Sequence, residues 1–163
     1  MPRKTKLDKG VVKRGVVCPD KHFPLADPKA ISCFLQAIAI IKPDFYVDIG
    51  DVGEWESVSH WQWKKKKRPP LEYQLPFVTD EIKKVNEELD KVDEALDKAG
   101  CKTKYMCEGN HDDWLNRFHE ENPYLDFVAF PKAIKLKERG YKYYPAGEYL
   151  KICKLHYYHG HHF

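Results

Sequence analysis

Phe45-Tyr46-Val47-Asp48-Ile49-Gly50-Asp51-Val52-Gly53-Glu54 is the stretch on which the reading of the fold turns. Its first five residues are mostly aromatic or β-branched, the types that suit a pleated strand. Gly50-Asp51 closes the run as a turn. Upstream, Val11-Val12 and Gly15-Val16-Val17-Cys18 read as an earlier strand that ends at Pro19-Asp20. Between the two strands, Asp27 then Pro28 predicts a helix start, with Asp as cap and Pro in the first turn. Ile31, Phe34, Leu35, Ile38 and Ile41 recur at helical intervals, and Lys42-Pro43 ends the helix.

Downstream, the segment from Trp55 to Pro76 has no clear period and reads as a long surface loop with room for a short helix. Thr79 is the expected cap of a long helix. Ile82, Val85, Leu89, Val92 and Leu96 lie on one face of it, and Gly100 stops it. The apolar face is too short for a coiled coil, so it is expected to pack on the domain's own sheet. Thr103 to Cys107 predicts a third strand ending at Glu108-Gly109-Asn110-His111. Asp112 or Asp113 opens a helix through Trp114, Leu115 and Phe118. Ala133 to Arg139 is a further amphipathic stretch, Tyr141 to Tyr144 a short strand, and Tyr149 to Tyr158 a last strand running into His159-Gly160-His161-His162. Strands alternating with helices predict an α/β fold, taken as one domain over 1–163.

The chain has 163 residues, enough for one domain with a real core. Its 42% hydrophobic content excludes a disordered chain, and no apolar run reaches the ~18 residues needed to cross a bilayer. The basic start Met1 to Lys6 is followed by no apolar signal region, so a cytoplasmic setting is expected. Five cysteines without Cys-x-x-Cys spacing argue against a disulfide framework or a zinc finger, and reduced thiols are expected. A net charge of +3 is too mild to imply a nucleic-acid partner by itself. Lys64 to Arg68 is a basic block that reads as a solvated loop.

Four clusters carry chemistry: Asp20-Lys21-His22, Gly50-Asp51-Val52-Gly53-Glu54, Gly109-Asn110-His111-Asp112 and His159-Gly160-His161. Each follows a predicted strand, where sites in α/β folds gather. Carboxylate, amide oxygen and imidazole suit Mn²⁺, Fe, Zn²⁺ or Ni²⁺. A single Asp can bridge two such ions at the ~3.5–4 Å separation of two-metal sites.

In this order the clusters resemble the signature of the calcineurin-like metallophosphoesterases: D-x-H, G-D-x-x-D/E, G-N-H-D/E, a strand-end His, and a final G-H-x-H. The resemblance spans Val16 to the end of the chain, and Gly-Asn-His-Asp is its most specific part. It implies a four-layer α/β/β/α sandwich and two divalent ions, manganese first, with iron, zinc, nickel or magnesium as substitutes. By position, Asp20 and His22 bind the first metal, Asp51 bridges both, and Asn110 and His159 bind the second. His111 is then the general acid at the leaving oxygen, and Asp112 is expected to hydrogen-bond His111 and set its tautomer.

Glu54 stands where many members carry Asp or Asn. No G-H-x-H follows, because Gly160-His161-His162-Phe163 has Phe in the last place. The chain is therefore expected to stop before the final motif and to lack the C-terminal part of the sandwich. His156 is expected to be packed or hydrogen-bonded, His119 to lie on a helix surface and His162 to be exposed. His60, Trp61 and Trp63 are expected either to cover the core or to wall a pocket. The implied activity is phosphoester hydrolysis through an activated bridging water. The Trp-rich basic loop points to nucleic acid or a nucleotide as substrate. The alternatives are a non-catalytic binding or scaffold protein on the same fold, with an incomplete metal site, and a mononuclear metal-binding protein.

Overall fold

A computed structural model describes residues 4–5, 12–64 and 66–161. In chain order the elements are strands β1 (Lys4–Thr5) and β2 (Gly15–Cys18), helix α1 (Pro28–Ile41), β3 (Phe45–Asp48), α2 (His60–Trp63), α3 (Leu71–Lys98) and β4 (Lys104–Cys107). Then come α4 (Asn110–Glu121), α5 (Phe130–Ala133), β5 (Tyr141–Tyr144), β6 (Leu150–Ile152) and β7 (Leu155–Tyr157). Strands β2, β3, β4 and β5 form one sheet in that order, and every neighbouring pair is parallel. Parallel neighbours need crossover connections, which the helices supply. The expected α/β class is present: a four-stranded parallel sheet with helices.

Period-2 alternation sends each strand's side chains to two different cores. Val16, Tyr46, Met106 and Tyr141 join Ile38 of α1 and Val85, Leu89 and Val92 of α3. Phe45, Val47, Tyr105, Cys107 and Tyr144 point the other way and meet Leu150 and Ile152 of β6. Strand β6 lies between β1, which it pairs in parallel, and β7, which it pairs antiparallel. The described residues thus form a helix layer, the parallel sheet and a smaller three-stranded sheet.

Helix α1 begins as its sequence predicts: the Asp27 carboxylate accepts a hydrogen bond from the backbone N–H of Lys29 at 2.8 Å, and Lys42 ends the helix in a left-handed conformation. Several boundaries differ, and the expected amphipathic stretch Ala133 to Arg139 is, beyond Ala133 at the end of the short helix α5, a run of turns. Helix α3 starts at Leu71, eight residues before the expected Thr79 cap, and carries Pro76 inside it. Buried Val78 and partly buried Leu71 extend its apolar stripe back past the proline, buried Gln74 donates to Ser57 O at 2.7 Å, and these contacts offset the lost backbone hydrogen bond. Thr79 is mid-helix and bonds back to the Leu75 and Pro76 carbonyls.

Tyr149 to Tyr158 is a hairpin, β6 and β7, turned at Cys153 with φ 56°, not one strand. Trp55 to Pro76 is not all surface: Trp55 is fully buried against Phe130. Val12 precedes β2 and is exposed, while the expectations for Val11, Lys65 and His162 lie outside the described residues. Among the described residues no helix is long and apolar enough to cross a membrane.

Candidate metal centre

The loops that leave β2, β3 and β4 emerge at one edge because the three strands are parallel. They are laced together by backbone hydrogen bonds. Asp20 N donates to Gly50 O (3.0 Å), His22 N to Asp51 O (3.0 Å) and Phe23 N to Val52 O (2.9 Å). Gly50 has φ +101°, and a Cβ there would stand 2.4 Å from Gly109 N, so the β3 and β4 loops touch backbone to backbone. Asp20, His22 and Asp51 have φ of 48°, 47° and 51°. Non-glycine residues in that region hold backbone strain, which clusters at functional sites.

A buried ion pair lies beneath this edge. Lys21 reaches in from between Asp20 and His22 and bonds the Asp48 carboxylate at the end of β3. Asp48 also accepts from Tyr46 Oη at 3.0 Å and Gly50 N at 3.3 Å. Burial works to lower the Lys21 pKa, but Asp48 overcomes it and the net shift is upward. The lysine therefore stays charged and ties the β2 loop to the β3 loop. This pair was not singled out from sequence; a Lys between two ligands and an Asp ending an apolar run were its only signals.

Asp51 sits at the centre of the edge. Its Oδ1 accepts the His111 backbone N–H at 2.9 Å. Its Oδ2 is 3.3 Å from His159 Nε2 and 3.8 Å from His22 Nε2, so one carboxylate stands between two imidazoles. On one side, His22 Nε2 is also 3.9 Å from Asp20 Oδ1. On the other, His159 Nε2 is 2.9 Å from Asn110 Oδ1. His159 follows β7, in the smaller sheet, and its Nδ1 donates to Ile49 O at 2.9 Å across the seam. A carbonyl can only accept, so Nδ1 carries a proton; Asn110 Oδ1 and Asp51 Oδ2 also only accept, so Nε2, the nitrogen presented to them, carries a second proton when no metal takes its place. Metal-ligating histidines are oriented this way, by a carbonyl holding the other nitrogen.

The electrostatics fit a cation site. Burial works to raise the Asp51 pKa, but hydrogen bonds from His159 and the His111 N–H outweigh it, and the net shift is downward. His159 is shifted upward, chiefly by its hydrogen bond to Asp51. A proton on His159 is thus the positive charge available to this cluster when no metal supplies one. Asp20, Asp51 and His159 can hold a metal ion, and so can His22, Glu54 and His111: in each set the ligand atoms lie within 4.8 Å of one another. Oxygen and imidazole donors without a thiolate suit Mn²⁺, Fe, Zn²⁺ or Ni²⁺.

Glu54, whose role the sequence left open, is a member of the site. Its Oε2 is 2.8 Å from His22 Nδ1 and its Oε1 4.0 Å from His111 Nδ1. Its backbone carbonyl accepts from His111 Nδ1 at 3.0 Å. Nδ1 therefore bears the His111 proton, and the ring is stacked on Trp114 with centroids 4.0 Å apart.

Asp112 does not orient His111, contrary to expectation. Helix α4 starts at Asn110, with Gly109 as its N-cap, so Asp112 is the third helical residue and reaches back to Gly109 N at 3.1 Å. Its other contacts are Val52 N at 3.1 Å and Trp55 Nε1 at 2.9 Å. Complete burial pushes its pKa up to about 7 against those hydrogen bonds. Asp112 is the pin between the β3 and β4 loops, and the Glu54 backbone sets the His111 tautomer. Among the other histidines, His156 is exposed and lies against Tyr149, His119 is partly exposed 3.9 Å from Asp126, and His60 packs edge-on against Trp114.

No protein-family model, curated protein or solved structure matches the chain.

Proposed function

We propose that this chain is a metal-dependent phosphoester hydrolase of the calcineurin-like metallophosphoesterase type, working with two divalent ions, manganese first. The observation that carries the reading is Asp51 Oδ2, within 4 Å of both His22 Nε2 and His159 Nε2. His22 with Asp20 flanks that carboxylate on one side, and His159 with Asn110 on the other. Asp20 and His22 would hold one ion, Asn110 and His159 the other, and Asp51 both. The parallel sheet backed by a second sheet is consistent with that family's α/β/β/α sandwich. A cytoplasmic setting suits the five free thiols.

Bound divalent ions supply charge to the phosphoryl oxygens and lower the pKa of the attacking water. The chain's own residues do the rest. Asp51, kept ionised by His159 and the His111 N–H, fixes the spacing between the two donor sets. His111, with Nδ1–H held on Glu54 O, presents Nε2 to the leaving oxygen; as imidazolium it would give its Nε2 proton to that oxygen and return to the neutral Nδ1–H form. Trp114 stacks beneath it and keeps the ring in that orientation. The substrate is a phosphoester, with a nucleotide or nucleic acid the class that the basic, aromatic loop favours.

The test is hydrolysis of a bis-aryl phosphodiester with Mn²⁺ by the chain and by His111→Ala. Loss of a proton-transfer group predicts a fall of about 10²–10⁴-fold in kcat with metal content unchanged. A chain that binds metal but shows no turnover would instead be the binding or scaffold protein.

A further inference from the structure

Glu54 faces two ways. One side touches His22; the other lines a cavity of about 470 Å³ between α3 and the segment after Glu54. That size lies within the range of small-molecule sites. Its walls are aromatic: Trp63, Tyr73 and Phe77, with Leu25 beside them. Tyr73 and Phe77 are four residues apart on α3, so they share a face, and they are 69% and 70% exposed. Trp63 has a buried indole N–H that takes no hydrogen bond in the protein. An unsatisfied buried donor is costly, and a ligand acceptor would satisfy it.

The charged groups of the cavity wall, Glu54, Glu56, Asp80, Glu81 and Lys84, already have partners: Glu54 lies against His22 and Glu56 accepts from Gln62. Glu81 accepts from Glu56 N at 2.9 Å and from Ser57 N at 3.1 Å, and Lys84 pairs with Asp80 at 2.7 Å. No unpaired cation is left in this wall to hold a phosphate, so the cavity suits a flat, uncharged group that carries a hydrogen-bond acceptor. Charge complementarity for phosphate lies next to it. Lys64, Lys66 and Lys67 are exposed on the segment joining the Trp63 and Pro69 walls.

We propose that this cavity binds the nucleobase of a nucleotide whose phosphate sits at the Asp20–Asp51–His159 centre. The base stacks on Tyr73 and Phe77 and accepts from Trp63 Nε1–H, and the lysines of the rim face the next phosphate. The proposal rests on the hydrolase reading for the phosphate, but base binding can be measured without it.

The experiment is calorimetric titration of the full, metal-free chain with adenosine, which carries no phosphate. Base stacking makes binding measurable, and Phe77→Ala and Trp63→Phe each weaken it about tenfold. Ribose 5-phosphate, titrated with Mn²⁺ present, binds both variants as it binds the unchanged chain. Adenosine 5′-monophosphate and a single-stranded hexanucleotide then separate a free nucleotide from a strand end. Tighter binding of the hexanucleotide that weakens with salt identifies the strand. Failure of adenosine to bind, or equal binding by both variants, overturns the assignment even if aryl phosphodiester turnover is found. Adenosine binding without any turnover would leave the cavity standing and remove the hydrolase.

Discussion

Replacing Lys21 by Met should be among the most destabilising single changes near the metal centre, and the structure gives its size. The Lys21 and Asp48 side chains are 1% and 0% exposed, so no water can take the place of the lost ammonium. Removing one partner of a buried pair strands the other charge at about 3–5 kcal/mol. Asp48 keeps donors in Tyr46 Oη and Gly50 N, which puts Lys21→Met near the low end, about 3 kcal/mol. In urea, with a slope of about 2 kcal/mol/M, the unfolding midpoint should fall by about 1.5 M at unchanged slope. Adding Asp48→Asn removes the stranded charge while the amide still accepts from Gly50 N. The double variant should recover at least 1 kcal/mol, roughly, a coupling that separated sites do not show. Because Lys21 lies between Asp20 and His22, Lys21→Met should also weaken Mn²⁺ binding. A cost below about 1 kcal/mol, or simple additivity of the two changes, would refute the pinning of the β2 loop through this pair.

Three other changes follow from the same geometry. Burial raises the Asp112 pKa to about 7, above its unfolded value, so folding favours the protonated acid. Its stabilising contribution is full at low pH and is lost as pH rises from about 4 through 7, by up to ~4 kcal/mol; Asp112→Asn should flatten that slope in metal-free denaturation. Burial pushes the Cys107 thiol up to about 12, so at pH 8 it should resist alkylation while exposed Cys33 and Cys153 react, as read by mass spectrometry. Asp27→Ala removes the α1 cap and should cost about 1 kcal/mol in chemical denaturation without changing metal binding.

Local signals carried much of the fold. Strands β2, β3 and β4 are short apolar runs ended by turn residues, and α1 announces itself by Asp27-Pro28. Where the reading failed, tertiary packing had overridden a local rule. Pro76 reads as a breaker, yet buried Gln74 and Val78 carry the helix through it. Cys153-Lys154 contains no usual turn residue, so the β6–β7 hairpin is invisible until the strands pair. The ligand candidates were legible because each follows a strand. Their supports were not: Lys21 with Asp48, and Asp112 with Trp55, join residues far apart in the chain. The error at Asp112 came from starting α4 two or three residues late, which aims the carboxylate at the wrong neighbour.

The most direct test of the central claim is metal stoichiometry. The chain should be equilibrated with Mn²⁺, freed of excess and analysed for ions per chain, alongside Asn110→Ala and Asp51→Asn. Two ions in the unchanged chain, loss of one in Asn110→Ala and loss of at least one in Asp51→Asn are the results predicted by a carboxylate shared between two donor sets. One ion per chain, unaffected by Asn110→Ala, would contradict it.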